Sequence, residues 1–288
     1  MAGRLDVKKT YKLYVGGAFP RSESGRTYVV TDTAGGFLAN AAQASRKDVR
    51  DAVVAARGAF GGWSARTAYN RGQILYRVAE VLEGRRDQLA AEVAAGEGLT
   101  PKKAMAEVEA AVDRWVWYAG WTDKIAQVMG SANPVAGPYF NLSTPEPTGV
   151  VAVIAPQDSS LLGLVSTLAP ALAGGNTVVA VASEARPLPA VTLTEVLHTS
   201  DVPGGVVNLL TGRTAELAPV LASHMDVNAI DLVGADPAAA ADLEIAAAGS
   251  TKRIVCRAGA AETWHDAPTL QRVESVMEIK TVWHPMGV

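Results

Sequence analysis

The sequence has few of the residues that build metal centres and disulfides. It contains one cysteine, Cys256, and four histidines that are scattered along 288 residues. A single cysteine excludes an internal disulfide and favours a reducing, cytoplasmic setting. Because the histidines show no metal-ligand spacing, the sequence gives no reason to expect a metal site.

Long apolar runs and blocks of one charge sign are missing as well. The 26 basic and 29 acidic side chains give a net charge of −3, which makes nucleic acid and anionic membranes poor partners. No stretch is apolar for long enough to cross a bilayer, and the first residues lack the apolar core of a secretory signal. We therefore expect contact with neither nucleic acid nor a membrane.

The N-terminal part of the chain predicts mainly helices. Residues 11–19 (YKLYVGGAF) have the composition of a strand and a turn. A first helix is expected after Ser45, because serine is a good N-cap and Asp48 suits the first turn. The apolar spacing predicts a second helix over residues 69–95 and a third that begins at Pro101, a residue that loses no hydrogen bond at the first helical position.

The pattern changes at Gly149. From there, β-branched apolar runs alternate with helical segments, which is typical of a parallel sheet covered by helices on both faces. The predicted strands are VVAVIA, NTVVAVA, VVNLL, NAIDLV and KRIVC, and the predicted helices between them cover residues 161–173, 188–197, 215–221 and 238–248. The sequence thus predicts an α/β fold with a Rossmann-like sheet, in which ligands bind at the carboxyl ends of the strands.

Two further segments look extended without belonging to this alternation. Residues 139–147 (YFNLSTPEP) are bounded by proline, as in one arm of a hairpin. The segment from Val276 to His284 (VMEIKTVWH) is apolar and is followed by no helix that could cover it. An exposed apolar strand is an aggregation hazard unless it pairs, so we expect this last strand to pair with another one.

The stretch EPTGVVAVIAP…LAPALAGGNTVVAVASE…PGGVVNLLTG…LASHMDVNAIDLVG resembles the cofactor domain of the NAD(P)-dependent aldehyde dehydrogenase superfamily. The similarity covers most of residues 14–255, and its glycines, Asn176 and the Pro170-Ala171-Leu172 turn of helix carry it. The final VMEIKTVWHPMG also resembles the last strand of that family, which lies in a β-arm used for oligomer assembly.

This resemblance implies a division of the chain into three parts. The cofactor-binding domain would comprise residues 1–134 and 148–262, preceded at its start by the N-terminal helices. The oligomerisation β-arm would comprise residues 135–147 and 271–288. Residues 263–270 would then be a junction in place of a catalytic domain that is largely deleted, with the boundary of the deletion between Ala258 and Leu270.

The family's reaction needs a cysteine nucleophile, an asparagine that stabilises the oxyanion, and a glutamate base. The asparagine of its PWNFP motif corresponds to Asp158 in this sequence. An ionised carboxylate only accepts hydrogen bonds, so it would repel the developing negative charge. Losing one such donor costs about 2.7–4 kcal/mol. We expect Asp158 to serve as the N-cap of the following helix.

The resemblance implies no catalytic residues in this chain. Alignment on residues 252–255 places Arg257 at the position of the glutamate base, and arginine stays protonated in proteins. Cys256 lies one residue earlier, at the end of an apolar run, where we expect a buried structural thiol.

The resemblance also maps a vestigial cofactor site onto Ile154, Pro156, Ser183, Glu184 and Gly234. The family's KPSE motif keeps its glutamate here but has Val181 in place of its lysine. The helix whose free N–H groups would face the pyrophosphate begins with Asp236, which we expect to cap it, and Pro237. Because Asp158 and Asp236 place negative charge near the phosphates, NAD(P) is expected to bind weakly if it binds.

Three functions remain open. The first is a catalytically inactive subunit that assembles, through the strand from Val276 to His284, with a full-length aldehyde dehydrogenase or with itself. The second is a weak NAD(P)- or nucleotide-binding module. The third is an oxidoreductase subunit whose active site is completed by a partner. The sequence names neither the partner nor the aldehyde.

Overall fold

The computed structural model describes residues 9–287, so that residues 1–8 of the expected cofactor domain and Val288 of the expected arm lie outside the described residues. The turn expected within residues 11–19 is confirmed at Gly16 and Gly17, which have positive φ, but the expected strand is wrong, because the segment makes isolated bridges only. An antiparallel hairpin that the sequence analysis missed follows, with β1 (Thr27–Thr31) and β2 (Phe37–Ala42).

Helix α1 (Arg46–Ser64) begins where the sequence predicts it. The Ser45 hydroxyl accepts hydrogen bonds from the backbone N–H groups of Lys47 and Asp48, at 3.2 and 3.3 Å. The Asp48 carboxylate accepts one from the Ser45 N–H in return, at 2.8 Å. This reciprocal capping box fixes the start of the helix.

The next three helices form one layer. They are α2 (Ala68–Glu83), α3 (Arg86–Glu97) and α4 (Pro101–Trp121). The single helix expected over residues 69–95 is wrong, because the chain breaks at Gly84 and Arg85 and starts a new helix. Glycine has a weak helix propensity, and packing of α2 and α3 separately on α4 decides the break. The predicted start of α4 is confirmed, with Thr100 accepting from the Lys103 N–H at 3.4 Å.

A short helix and two strands lead into the sheet. Helix α5 (Ile125–Met129) and β3 (Ser131–Asn133) were not predicted, whereas β4 (Tyr139–Pro147) was. Strands β3 and β4 form an antiparallel hairpin, in which Ser131 lies opposite Ser143.

The predicted alternation of strands and helices is confirmed from residue 150 to residue 256. In order, the elements are β5 (Val150–Ile154), α6 (Leu162–Gly174), β6 (Thr177–Val181), α7 (Leu188–His198), β7 (Val207–Leu210), α8 (Thr214–Ser223), β8 (Ala229–Asp231), a 3₁₀ turn (Pro237–Ala239), α9 (Ala240–Ala248) and β9 (Arg253–Cys256). All strands of this sheet run parallel, and alternate residues of β5 face two different cores. Apolar residues on both faces explain the continuous apolar runs.

The sheet has the order β7-β6-β5-β8-β9. The chain runs outward from β5 to β7 and then returns to pair β8 with the other side of β5. This reversal creates a topological switch point between β5 and β8, where the loops after the two strands part and leave a crevice.

Asn176 joins the sheet to the end of the chain. Its fully buried side chain accepts a hydrogen bond from the Gly149 N–H at 2.9 Å and donates to the carbonyls of Ala171 and Val276 at 3.2 and 3.0 Å. One amide thus fixes the start of β5, the end of α6 and the approach to the last strand. The position of Asn176 in the family-like motif has this structural reason.

After β9 the chain reaches its last strand within residues 257–276, which include α10 (Gln271–Glu274). Strand β10 (Met277–Pro285) confirms that the last segment is a strand, and it pairs along its whole length with β4 of the same chain, a partner that the sequence left open. The resulting sheet has the order β10-β4-β3, with β10 at its edge. Within residues 9–287, no helix has both the length and the apolar character that crossing a membrane requires.

Candidate functional site

A cleft of about 690 Å³ opens at the switch point of the parallel sheet. Its walls are the loops that follow β5, β6 and β8, the first turns of α8 and α9, and residues 259–264 after β9. All of these lie at the carboxyl ends of the strands, where parallel α/β sheets bind their ligands. The cleft has an apolar end and an acidic end.

The apolar end lies between α8 and α9. Its lining consists of small or aliphatic side chains: Ala215, Ala218, Pro219, Val233, Ala239 and Leu243. Small side chains leave the helix surfaces flat, so this end can take a planar, apolar group.

Glu184 lies in the cleft wall and is held by α8. Its carboxylate pairs with the Arg213 guanidinium at 2.7 Å and accepts a hydrogen bond from the Thr214 N–H at 3.0 Å. The Arg213 guanidinium in turn lies 5.2 Å above the ring of Tyr28. The carboxylate therefore satisfies the positive N-terminal end of α8 and retains lone pairs for a ligand hydroxyl.

The other predicted cofactor positions divide between lining and support. Pro156 and Gly234 line the cleft, whereas Ile154 and Ser183 lie behind it. The Gly234 N–H donates to the Ile154 carbonyl at 3.0 Å, and a Cβ on Gly234 would lie 1.8 Å from the Ala155 oxygen. Only glycine permits this approach of the two loops.

Gln157 links the loops after β5 and β6. Its side-chain oxygen accepts hydrogen bonds from the Glu184 N–H at 2.9 Å and the Ser183 hydroxyl at 3.4 Å. Its amide nitrogen donates to the Ala155 carbonyl at 2.7 Å. Gln157 therefore orients the backbone that carries Glu184.

Asp236 and Pro237 begin the 3₁₀ turn as the sequence predicts. The Asp236 carboxylate accepts a hydrogen bond from the Ala238 N–H at 2.9 Å. It thereby occupies one of the N–H groups that an anionic ligand would use, and proline removes another.

The expected role of Asp158 as a helix N-cap is wrong. The N-cap of α6 is Leu161, which makes no side-chain capping bond, while the Ser159 hydroxyl, two residues earlier, accepts a hydrogen bond from the Gly163 N–H at 2.9 Å. The Asp158 carboxylate accepts one from the indole N–H of Trp264, at 3.2 Å. The contact joins two residues 106 positions apart, which explains why local sequence reasoning assigned Asp158 to the nearer helix.

Two glutamates of the helical layer hold the rest of this loop. Glu97 accepts hydrogen bonds from the backbone N–H and the hydroxyl of Ser160, at 2.8 and 2.6 Å. Glu107 accepts one from the Ser159 hydroxyl at 3.3 Å and lies 2.7 Å from His265 of the junction. Loop, helix and junction thus form one polar network.

Trp264, which sequence reasoning did not single out, closes the acidic end of the cleft. Its side chain is 91% buried, with 9% exposed. The Arg272 guanidinium lies 5.2 Å from its ring, and Arg114 donates hydrogen bonds to the backbone carbonyls of Trp264 and Asp266. Asp158 and Arg272 therefore hold the indole, and Arg114 holds the backbone that carries it. Its only signal in the sequence is an aromatic residue inside the short junction.

A buried acid lies beside this junction. Asp231 ends β8, and burial raises the pKa of its carboxyl to about 6. Arg272 approaches it at 3.7 Å and pairs with Glu262 at 2.8 Å. These contacts attach α10 to the sheet.

Cys256 is half-buried, so the expectation of a buried thiol is corrected. Desolvation, together with the charges of Asp231 and Glu262, raises the pKa of the thiol to about 11. The thiol is 3.9 Å from the Glu262 carboxylate. At neutral pH the group is therefore a thiol with very little of the nucleophilic thiolate. The side chain of Arg257, next in sequence, is 79% exposed and pairs with Glu244 at 3.6 Å.

The residues fit one half of a dinucleotide better than the other. The apolar end and Glu184 suit an adenine ring and a ribose hydroxyl. The acidic end offers carboxylates to a pyrophosphate: within residues 9–287 the cleft lining has four (Asp158, Glu184, Asp236, Glu262) against one guanidinium, that of Arg213. Opposed charges of this kind disfavour an anionic ligand.

Known proteins share this architecture. Residues 19–269 match the aldehyde dehydrogenase family. The mitochondrial benzaldehyde dehydrogenase of Antirrhinum majus is 33% identical over 252 residues, which cover 86% of this chain and 47% of that protein. The cytosolic 10-formyltetrahydrofolate dehydrogenase of Xenopus tropicalis is 32% identical over 263 residues, covering 88% of this chain and 29% of that protein.

Solved structures agree with these relatives. PnpE from Pseudomonas sp. WBC-3 superposes with a TM-score of 0.82 at 32% identity, covering 86% of this chain and 50% of that one. The NAD+ complex of an aldehyde dehydrogenase from Bacillus cereus gives 0.81 at 28% identity, covering 87% and 51%. The chain therefore spans about half the length of these solved relatives, and it belongs to the aldehyde dehydrogenase family.

Proposed function

We propose that this chain is a non-catalytic aldehyde dehydrogenase-like subunit that assembles through its three-stranded sheet with a full-length aldehyde dehydrogenase. The observation that carries the proposal is the short path from β9 to β10. Residues 257–276 join the cofactor-type sheet directly to a strand that pairs over nine positions with β4. The chain therefore keeps this last strand, although it spans only about half the length of its relatives.

The chemistry of the described residues supports a non-catalytic role. The one thiol of the sequence is Cys256, whose pKa of about 11 disfavours the thiolate. At the position that resembles the oxyanion asparagine, Asp158 presents a carboxylate that is bonded to Trp264. A carboxylate would oppose the negative charge that develops on an aldehyde oxygen, instead of stabilising it.

The surface of the three-stranded sheet supports assembly. Ile279 and Trp283 on β10 are 56% and 57% exposed, and Tyr139 on β4 lies 5.8 Å from the Trp283 ring. These three side chains share one face, because residues opposite each other in an antiparallel pair point the same way. The outer edge of β10 also has backbone groups free to pair with a strand of another subunit.

Point variants test assembly better than truncation does. Val276 and Met277 are 3% and 6% exposed, so a cut before β10 would also damage the core. The variant Ile279→Lys with Trp283→Lys charges the exposed face and leaves those anchors in place. Ile245→Lys, at a residue 72% exposed on α9, is the matched control.

Native mass spectrometry of tagged chains from their own cells gives the readout. We expect the unmodified chain and the control to emerge with a longer aldehyde dehydrogenase in fixed ratio, and the double variant to emerge alone. If the chain emerges with a second copy of itself and without the longer enzyme, it is a homo-oligomer, and the proposed hetero-assembly is contradicted. Association that survives the double variant would contradict the assembly role of this face.

A second candidate function is binding of a nucleotide, and the 690 Å³ cleft with Glu184 in its wall favours it. Calorimetric titration with NAD, AMP and adenosine tests it directly, since heat with any one of these ligands at micromolar concentration supports a binding module of this class. The remaining alternative, an active site completed by a partner, stays a prediction that a dehydrogenase assay addresses.

A further inference from the structure

We infer that the cleft takes a neutral purine nucleoside and that Trp264 excludes a dinucleotide from it. The inference rests on the second candidate function, binding of a nucleotide-like ligand, and it names the ligand class and the residue that sets it. It is independent of the assembly role.

The first argument is shape. A second cavity of about 510 Å³ lies beneath the junction, next to Arg114 and Cys256. The linings of the two cavities share Glu262 and Trp264. Trp264 is therefore the partition between them. A ligand that extends from the 690 Å³ cleft beyond the switch point would collide with the indole before it could enter the second cavity.

The second argument is rigidity. The indole N–H is bonded to Asp158 at 3.2 Å, Arg272 stacks on the ring at 5.2 Å, and Arg114 holds the backbone of the same residue. The Trp264 side chain is 9% exposed. Moving it aside would break a hydrogen bond and a cation–π contact and would leave the Asp158 carboxylate without this donor. The partition therefore stays closed for an ordinary ligand.

The third argument is charge. The one guanidinium that the described residues contribute to the lining, that of Arg213, is already paired with Glu184 at 2.7 Å. Among the described residues, Asp158 and Asp236 line the cleft without an ion pair, while Glu262 lines it paired with Arg272 at 2.8 Å. Each phosphate added to a ligand brings negative charge toward them, whereas a nucleoside without phosphate avoids this repulsion.

The fourth argument is complementarity at the apolar end. The flat surface of Ala218, Pro219 and Leu243 suits a planar base. Each oxygen of Glu184 accepts one hydrogen bond within the protein and retains a lone pair for a sugar hydroxyl. A solved structure of the same fold, from Bacillus cereus, is an NAD+ complex, so adenosine is the natural probe.

The test is isothermal titration of the full chain with adenosine, AMP and NAD under one set of conditions. We expect adenosine to bind at least about tenfold more tightly than NAD, with AMP between them. Binding of NAD as tight as that of adenosine overturns the inference. Silence with all three ligands in the millimolar range overturns both this inference and the second candidate function, while the assembly role is tested separately.

Two variants separate shape from charge. Trp264→Ala joins the two cavities, so its affinity for NAD should rise by about tenfold or more, while Trp283→Ala on the arm leaves it unchanged. Asp236→Asn keeps a capping side chain and removes a charge, so it should narrow the preference for adenosine over AMP. Because Asp236 is exposed, this second test stands even where Trp264→Ala fails to fold. An Asp236→Asn variant with an unchanged preference contradicts the charge argument.

Discussion

At the scale of single residues, the loop after β5 shows how one substitution changes a site. Asp158 holds the loop through the Trp264 indole, and the Ser159 hydroxyl accepts a hydrogen bond from the Gly163 N–H in the first turn of α6. Where the PWNFP motif that this loop resembles has an asparagine amide, the chain has a carboxylate that already accepts a hydrogen bond. A carboxylate at this place would oppose negative charge on a bound oxyanion.

Asp231 gives a testable pH dependence. Burial raises its pKa from 3.8 to about 6 in the folded chain, so between these values the folded state binds more protons than the unfolded state. Stability therefore falls as the pH rises through this window, by about 3 kcal/mol for this group. Asp231→Asn keeps an oxygen for the Val233 N–H and removes the charge, so we expect it to exceed the unmodified chain in urea stability at pH 7.5.

The difference between the two chains should shrink as the pH falls through this window and vanish only well below pH 3.8, where Asp231 is protonated in both the folded and the unfolded state. Asp242→Asn on the exposed first turn of α9 is the control, and it should show no such window. A variant that is less stable than the unmodified chain at neutral pH would show that the charge of Asp231 stabilises the fold through Arg272.

At the scale of elements, local sequence explains where α1 begins but not where α2 ends. The capping box of α1 needs only residues three positions apart. The break between α2 and α3 depends on both helices packing on α4, and the apolar periodicity continues across it. Propensity at Gly84 is too weak to reveal the break by itself.

The two residues of the α1 capping box should contribute unequally to the free energy of unfolding. Ser45→Ala should lower the free energy of unfolding by about 1 kcal/mol. Asp48→Ala should cost more, about 2–3 kcal/mol, because this buried carboxylate also accepts hydrogen bonds from Ser22 and from the Glu23 N–H. Urea unfolding measures both. Asp51→Ala, an exposed member of an ion pair with Lys47, is the control with little effect. Equal losses at positions 45 and 48 would contradict the role of the buried donors.

At the scale of the whole molecule, residues 257–276 decide the relation between sheet and arm. They fill the acidic end of the cleft with Trp264, bind Asp231 through Arg272, and lead into β10. The same segment therefore affects the site and positions the surface proposed for assembly.

A whole-molecule assay tests the absence of catalysis. We expect the purified chain to reduce no NAD with benzaldehyde above the buffer rate, because its thiol has a pKa of about 11 and its cleft lacks an oxyanion donor at Asp158. Spectrophotometry of NADH formation gives the rate, and an active aldehyde dehydrogenase serves as the positive control. A rate that Cys256→Ser abolishes would reassign the chain as an enzyme. A rate that appears only with a partner, and disappears with Cys256→Ser, would support a shared active site.

The sequence by itself determined the α/β alternation, the start of α1 and α4, the existence of the last strand and the cap at Asp236. These features rest on local patterns: periodicity, capping residues and continuous β-branched runs. Only the tertiary structure decided that Asp158 bonds Trp264, that Arg272 approaches Asp231, and that Glu184 pairs with Arg213. Such contacts join segments that are distant in the chain, and their geometry follows from the paths of loops, which no local pattern specifies.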